Sequence, residues 1–200
     1  MESIESKALA RNDRYLREFV EALELCPFAR KCRETGRLAR RVLRGGRPAE
    51  ATLAALRELD ETAEDDIEVA LFIYPEFAGD LQDFERLRDE VRGTVRLFYC
   101  VAFHPGLPID LSDANRAVSF LRRSPDPTLQ LVRIATLERV RSGRPGGSVY
   151  VDATKISPAE LTALQRSPSV SEQIAQMNLR TLRQHDPAAL ERMLAEIRAR

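Results

Sequence analysis

Cys26, His104 and Arg123 each combine reactive chemistry with a place where a fold could use it. His104 follows the run Thr94 to Phe103 (TVRLFYCVAF), which reads as a strand, and precedes Pro105. Its imidazole should therefore leave the sheet at a carboxyl end, where ligands gather in open α/β sheets. There it could act as general acid or base, with an ordinary pKa of roughly 6.5. Hydrogen bonding to a loop carbonyl is the plainer alternative. The second feature is Arg122-Arg123-Ser124-Pro125-Asp126-Pro127-Thr128. Asp126 followed by Pro127 reads as a helix N-cap with proline at the first helical position, which predicts a helix from Thr128 to Val140. The free N–H groups of such a start, with the Arg123 guanidinium and the Ser124 and Thr128 hydroxyls, would suit a carboxylate or phosphate. Asn115, at the start of the preceding predicted helix, completes that polar set. An N-cap that binds nothing fits the same residues.

Cys26 falls on the apolar stripe Leu16, Phe19, Val20, Leu23 of a helix predicted from Asp13, capped by Asn12/Asp13 and ended by Pro27. A helix carboxyl terminus raises a thiol pKa and neighbouring arginines lower it, so Cys26 reads either as a buried thiol or as a nucleophile. Cys32 is expected to be exposed, Cys100 to lie in the core and His185 to face solvent. Three cysteines without an apolar leader point to reduced thiols in the cytoplasm. The sequence has no GxGxxG, GxxxxGK[ST], CxxC or HExxH. Cys100 and His104 stand about 13 Å apart along a strand, too far to share one metal ion. Cys26 or His104 as a haem or iron ligand, with arginines pairing the propionates, remains the redox alternative.

Of 200 residues, 31 are basic and 31 acidic, and only Lys7, Lys31 and Lys155 are lysines. Net neutrality argues against nucleic acid or anionic lipid as partner and leaves a small anionic molecule as the expected ligand. The charges are segregated. Arg30, Lys31, Arg33, Arg37, Arg40, Arg41, Arg44 and Arg47 face only Glu34 within their stretch, whereas 50–68 holds eight carboxylates against Arg57. These stretches are either two mutually attracting faces or an electropositive wall beside Cys26. No run of 18 apolar residues suggests a membrane span.

The elements that must position these groups follow from periodicity. Strands are expected at Leu38 to Leu43, Ile67 to Tyr74, Thr94 to Phe103 and Val149 to Val151, the last after a Gly143 to Gly147 turn. Further helices are expected at Ala49 to Glu61, Asp80 to Arg92, Asn115 to Leu121, Pro158 to Arg166, Ser171 to Gln184 and Pro187 to Ala199. The helical crossover from Ile67–Tyr74 to Thr94–Phe103 makes those strands parallel neighbours. The reading is an α/β fold: one domain over 1–200, with a small mixed, partly parallel sheet of three to five strands covered by helices, and a helical carboxyl half.

Leu25-Cys26-Pro27-Phe28-Ala29, Ala102-Phe103-His104-Pro105, Arg123-Ser124-Pro125-x-Pro127-Thr128-Leu129-x-Leu131-x-Arg133 and Asn178-x-x-Thr181-Leu182 occur in that order. Together they resemble the DUF1415 family of small bacterial and plastid-associated proteins, over about Arg14 to Arg183. The resemblance implies no particular reaction, but it implies that the Cys, His and Arg-Ser-Pro segments converge on one site. The chain departs from the family pattern in the short loop Gly106 to Ser112, in Arg122 where Asn is usual, and in Asp126 where an aromatic is expected. The expected function is a small-molecule enzyme acting on an anionic substrate through Cys26, His104 and Arg123. A non-catalytic small-anion binding or accessory protein is the other class.

Overall fold

The computed structural model describes residues 2–63, 66–142 and 170–199. The expected Gly143–Gly147 turn, Val149–Val151 strand and Pro158–Arg166 helix lie outside the described residues. Helix α1 runs Ile4–Arg14, started by Ser3, whose side chain accepts the Ser6 N–H. The predicted start at Asn12/Asp13 is therefore wrong. Ser3 supplies the cap, and Asn12 lies inside the helix, buried with Ala8. The apolar stripe continues as a π-helix, Tyr15–Glu21, which closes with Leu25 N–H on the Val20 carbonyl at 2.9 Å. Glu24, at φ 53, turns the chain out of it before Cys26.

Short α2 (Ala29–Glu34) leads to β1 (Leu38–Val42), α3 (Pro48–Asp60), β2 (Val69–Ile73), α4 (Leu81–Thr94) and β3 (Phe98–Phe103). The start of α4 is fixed by a reciprocal capping box in which Asp80 and Asp83 each accept the other's backbone N–H. Then come α5 (Ala114–Leu121), β4 (Thr128–Arg133), α6 (Ile134–Ser142), α7 (Val170–Gln184) and α8 (Pro187–Ala199).

The sheet order is β1-β2-β4-β3, with β1 parallel to β2 and β4 antiparallel to both β2 and β3. Two expectations need correcting. β2 and β3 run in the same direction but are not neighbours, because β4 lies between them. Thr128 to Arg133 is a strand, not the first turns of a helix. Leu129 and Leu131 alternate onto one buried face at period two, and ladders on both sides outweigh the capping signal of Asp126-Pro127.

One sheet face carries Ala70, Phe72, Tyr74, Phe98, Cys100, Ala102, Leu129 and Leu131 and packs under α3 and α4. Leu71 and Ile73 point to the opposite face, against Ala8 of α1. A second apolar cluster joins the π-helix, α5, α7 and α8 through Phe19, Phe120, Leu179, Leu182, Leu190 and Ile197, with Phe103 packed against it. The result is a mixed α/β layer structure with a helical carboxyl half, as expected. Among the described residues no helix is long and apolar enough to cross a membrane.

Candidate functional site

The alternation Phe98, Cys100, Ala102 carries His104 to the α4 face at the carboxyl end of β3, where its ring lies 5.7 Å from that of Phe84. His104 is buried, and its Nδ1 accepts the Gly106 N–H at 3.0 Å. In the neutral ring the proton is therefore on Nε2, which makes the resting imidazole a hydrogen-bond donor through that atom. Burial, and then the Arg198 charge, lower its pKa from 6.5, opposed by Asp80 and Glu85 of α4. The free-acid/base behaviour expected near the ordinary value is thus shifted toward a neutral ring at pH 7.

In the pH window below 6.5 the unfolded chain binds a proton at His104 that the fold resists. The imidazole's contribution is therefore full above about pH 6.5, declines as pH falls, and levels off below the lowered folded pKa. Denaturant midpoints taken from about pH 7.5 to pH 5 should fall less steeply in His104→Asn than in the wild type.

The segment after α5 packs against the His104 loop. His104 N–H donates to the Arg122 carbonyl at 2.9 Å, and Arg123 Nε donates to the Pro105 carbonyl at 3.2 Å. Asp126 is not a helix cap but the hub of this turn. Its carbonyl accepts the Ser124 and Thr128 hydroxyls at 2.6 and 2.9 Å, and its carboxylate accepts Arg11 Nε and Nη2 at 3.0 and 2.9 Å. Ser124 and Thr128 are buried with their hydroxyl hydrogens committed to that carbonyl. The helix N-terminus expected to offer free N–H groups does not exist, since β4 begins there. Asn115 is exposed, and its backbone N–H caps onto Asp113 of α5.

Charge nevertheless gathers here. Arg123 Nη1 pairs with Glu191 of α8 at 3.0 Å. Arg198, also on α8, has its pKa lowered by burial and by Arg123, while Asp126 opposes this. No sequence signal marks Arg11, Glu191 or Arg198, which come from helices far away in the chain and look like ordinary surface charges.

Cys26 is exposed, in the turn that follows the π-helix rather than on its stripe, because the chain leaves the helix at Glu24. Its charge neighbourhood includes Tyr15 of the π-helix, whose hydroxyl donates to the Leu121 carbonyl at 2.7 Å. Although the residue is exposed, desolvation still pushes its thiol pKa up, and the Phe28 and Ala29 N–H groups only partly offset this. Cys32, expected at the surface, is buried and pushed up to about 11, as is Cys100 in the core. The seven arginines of the expected electropositive wall are ion-paired: Arg30 and Arg33 with Glu21, Arg37 with Glu68, Arg40 with Asp13, Arg41 with Glu58, Arg44 with Glu76 and Arg47 with Glu50. The two segregated stretches do attract one another, through Arg37–Glu68 and Arg41–Glu58. Among the described residues no three His, Cys, Asp or Glu come together as a metal site.

The family model described as "Protein of unknown function (DUF1415)" matches residues 7–192. The chain belongs to the DUF1415 family. No curated protein and no solved structure matches it. In this DUF1415 protein the His104-Pro105 and Arg123 to Thr128 segments touch, and Cys26 lies in the turn that follows the π-helix.

Proposed function

We propose that this DUF1415 protein is a small-molecule enzyme that holds an organic anion between Arg123 and Arg198, with His104 Nε2–H donating to an oxygen of the bound molecule. The observation behind this reading is the charge balance at the carboxyl ends of β2 and β3. Asp126 is held in a bidentate pair by Arg11, Arg123 pairs with Glu191, a carboxylate whose side chain is 47% exposed, and Arg198 stands near enough to feel the charges of both Arg123 and Asp126. Guanidinium forks match carboxylate and phosphate geometry, and a neutral imidazole beside them supplies a proton donor without adding charge. Cys26 takes no part.

Thermal unfolding in the presence of small carboxylates and phosphates tests the reading. A ligand present at about 100 times its Kd should stabilise the wild type by about 2.7 kcal/mol. Arg123→Met, which keeps an apolar stem over Phe120 but loses the fork, should abolish that gain, and Cys26→Ala should retain it. Equal stabilisation of Arg123→Met and wild type, or loss of the effect in Cys26→Ala, would overturn the assignment. Turnover of the bound anion that His104→Asn abolishes would separate an enzyme from a carrier.

A further inference from the structure

Two carboxylates meet guanidinium groups at this edge, and the geometry separates a permanent pair from a displaceable one. Arg11 and Asp126 form a bidentate contact with side chains only 15% and 10% exposed. Arg123 and Glu191 touch through one nitrogen and one oxygen at 3.0 Å, with 21% and 47% exposed. The first is held and shielded. The second belongs to the class of exposed ion pairs that contribute little and exchange readily with solvent ions.

Arg123 itself does not depend on Glu191 for its position. Its Nε is anchored on the Pro105 carbonyl at 3.2 Å, and its guanidinium carbon lies 6.0 Å from the centre of the Phe120 ring. The protein thus fixes one end of the fork and leaves the outward end to a side-chain carboxylate. That carboxylate is carried by α8, whose Leu190, Leu194 and Ile197 are buried, so the helix backbone is fastened while Glu191 remains at the surface. Seven residues further along α8, hence on the same side after two turns, comes Arg198. One helix therefore presents Arg123 with both a competing carboxylate and a second guanidinium.

We propose that Glu191 is a built-in competitor at the Arg123 fork and that the ligand is a carboxylate, which takes the place of Glu191 and is then flanked by Arg198. This rests on the anion site proposed above and assigns its ligand class. No covalent change is involved: one Arg–carboxylate pair is exchanged for another, and Glu191 is released to water.

Titration calorimetry with acetate, succinate and inorganic phosphate as probes, on wild type, Glu191→Gln and Glu196→Gln, tests it. Glu191→Gln keeps the shape of the side chain and removes its charge. It should bind the two carboxylates about two- to fivefold more tightly than wild type, the range expected from losing one exposed ion pair. Glu196→Gln, an exposed charge change on the same helix, should leave affinity unaltered. Phosphate should bind more weakly than the carboxylates to all three proteins. Unchanged or weaker carboxylate binding by Glu191→Gln overturns the competitor role while leaving the anion site standing, and so does equal tightening in Glu196→Gln. A preference for phosphate overturns the ligand class. If wild type and both variants bind none of the three anions, the anion site falls, and this inference falls with it.

Discussion

Replacing Phe84 with Ala should destabilise the protein by about 3–5 kcal/mol, the range for emptying a buried aromatic position in a packed core. Phe84 is 0% exposed and is the centre of an aromatic group, with ring centroids 5.5 Å from Tyr74, 5.0 Å from Phe77 and 5.7 Å from His104. The first two contacts are edge-on, the favourable arrangement of ring quadrupoles. Collapse around the gap is restricted. Tyr74 is tied through its hydroxyl to Thr52 at 2.6 Å, and His104 is tied through Nδ1 to Gly106. The same substitution should reach the site. Burial is the largest cause of the lowered His104 pKa, so opening the Phe84 side to water should move that pKa back up toward 6.5. Urea unfolding gives the first quantity and a proton-NMR titration of the His104 ring the second. Phe84→Leu should recover most of the stability and leave the titration near that of the wild type. A loss below about 1.5 kcal/mol would mean that the core closes over the gap.

The helix that carries Phe84 shows what the sequence made legible. Leu81, Phe84, Leu87 and Val91 mark one face of it, and Phe84, Leu87 and Val91 are buried as the spacing predicts. The runs that became β2 and β3 announce themselves by composition, because a buried strand needs β-branched and aromatic residues at nearly every place. α8 runs over Pro187–Ala199 as read, since Pro187 suits a first helical position. β4 was hidden because Asp126-Pro127-Thr128 satisfies the local grammar of a helix start, and only pairing with strands more than twenty residues away makes it a strand. Local signals compete with tertiary ladders at such points, and the ladders carry more hydrogen bonds. The position of His104 at a strand's carboxyl end was readable for the same reason that β3 was. Its surroundings were not. Arg11 meets Asp126 and Glu191 meets Arg123 across 115 and 68 residues, and nothing in an arginine's own neighbourhood says which carboxylate it will find. The apolar stripe that points to Cys26 does not reach it, because the positive φ at Glu24 turns the chain away first.

The Arg11–Asp126 pair should show opposite effects on stability and on binding. Removing the carboxylate in Asp126→Ala leaves a guanidinium that is only 15% exposed without its partner, and a loss of about 3 kcal/mol is expected, at the lower end for a broken buried pair because some solvent remains. Arg11→Ala should cost a similar amount. The double variant should cost less than the two single losses together by about 1.5–3 kcal/mol, the coupling of residues in direct contact. Because the pair is largely shielded, that coupling should change little when salt is raised. The backbone of the turn is supported separately, by the Ser124 and Thr128 hydroxyls on the Asp126 carbonyl, so Asp126→Ala is expected to weaken the fold without dissolving the turn. Its effect on the site runs the other way. Asp126 partly offsets the Arg198 charge, and its removal leaves both Arg11 and Arg198 without that carboxylate. Anion affinity should therefore rise in Asp126→Ala and fall back in the double variant, where the freed guanidinium is gone. Calorimetric titration with succinate alongside urea unfolding reads both quantities on the same samples. Stability and affinity falling together in Asp126→Ala would show that the pair acts by shaping the turn and not by its charge.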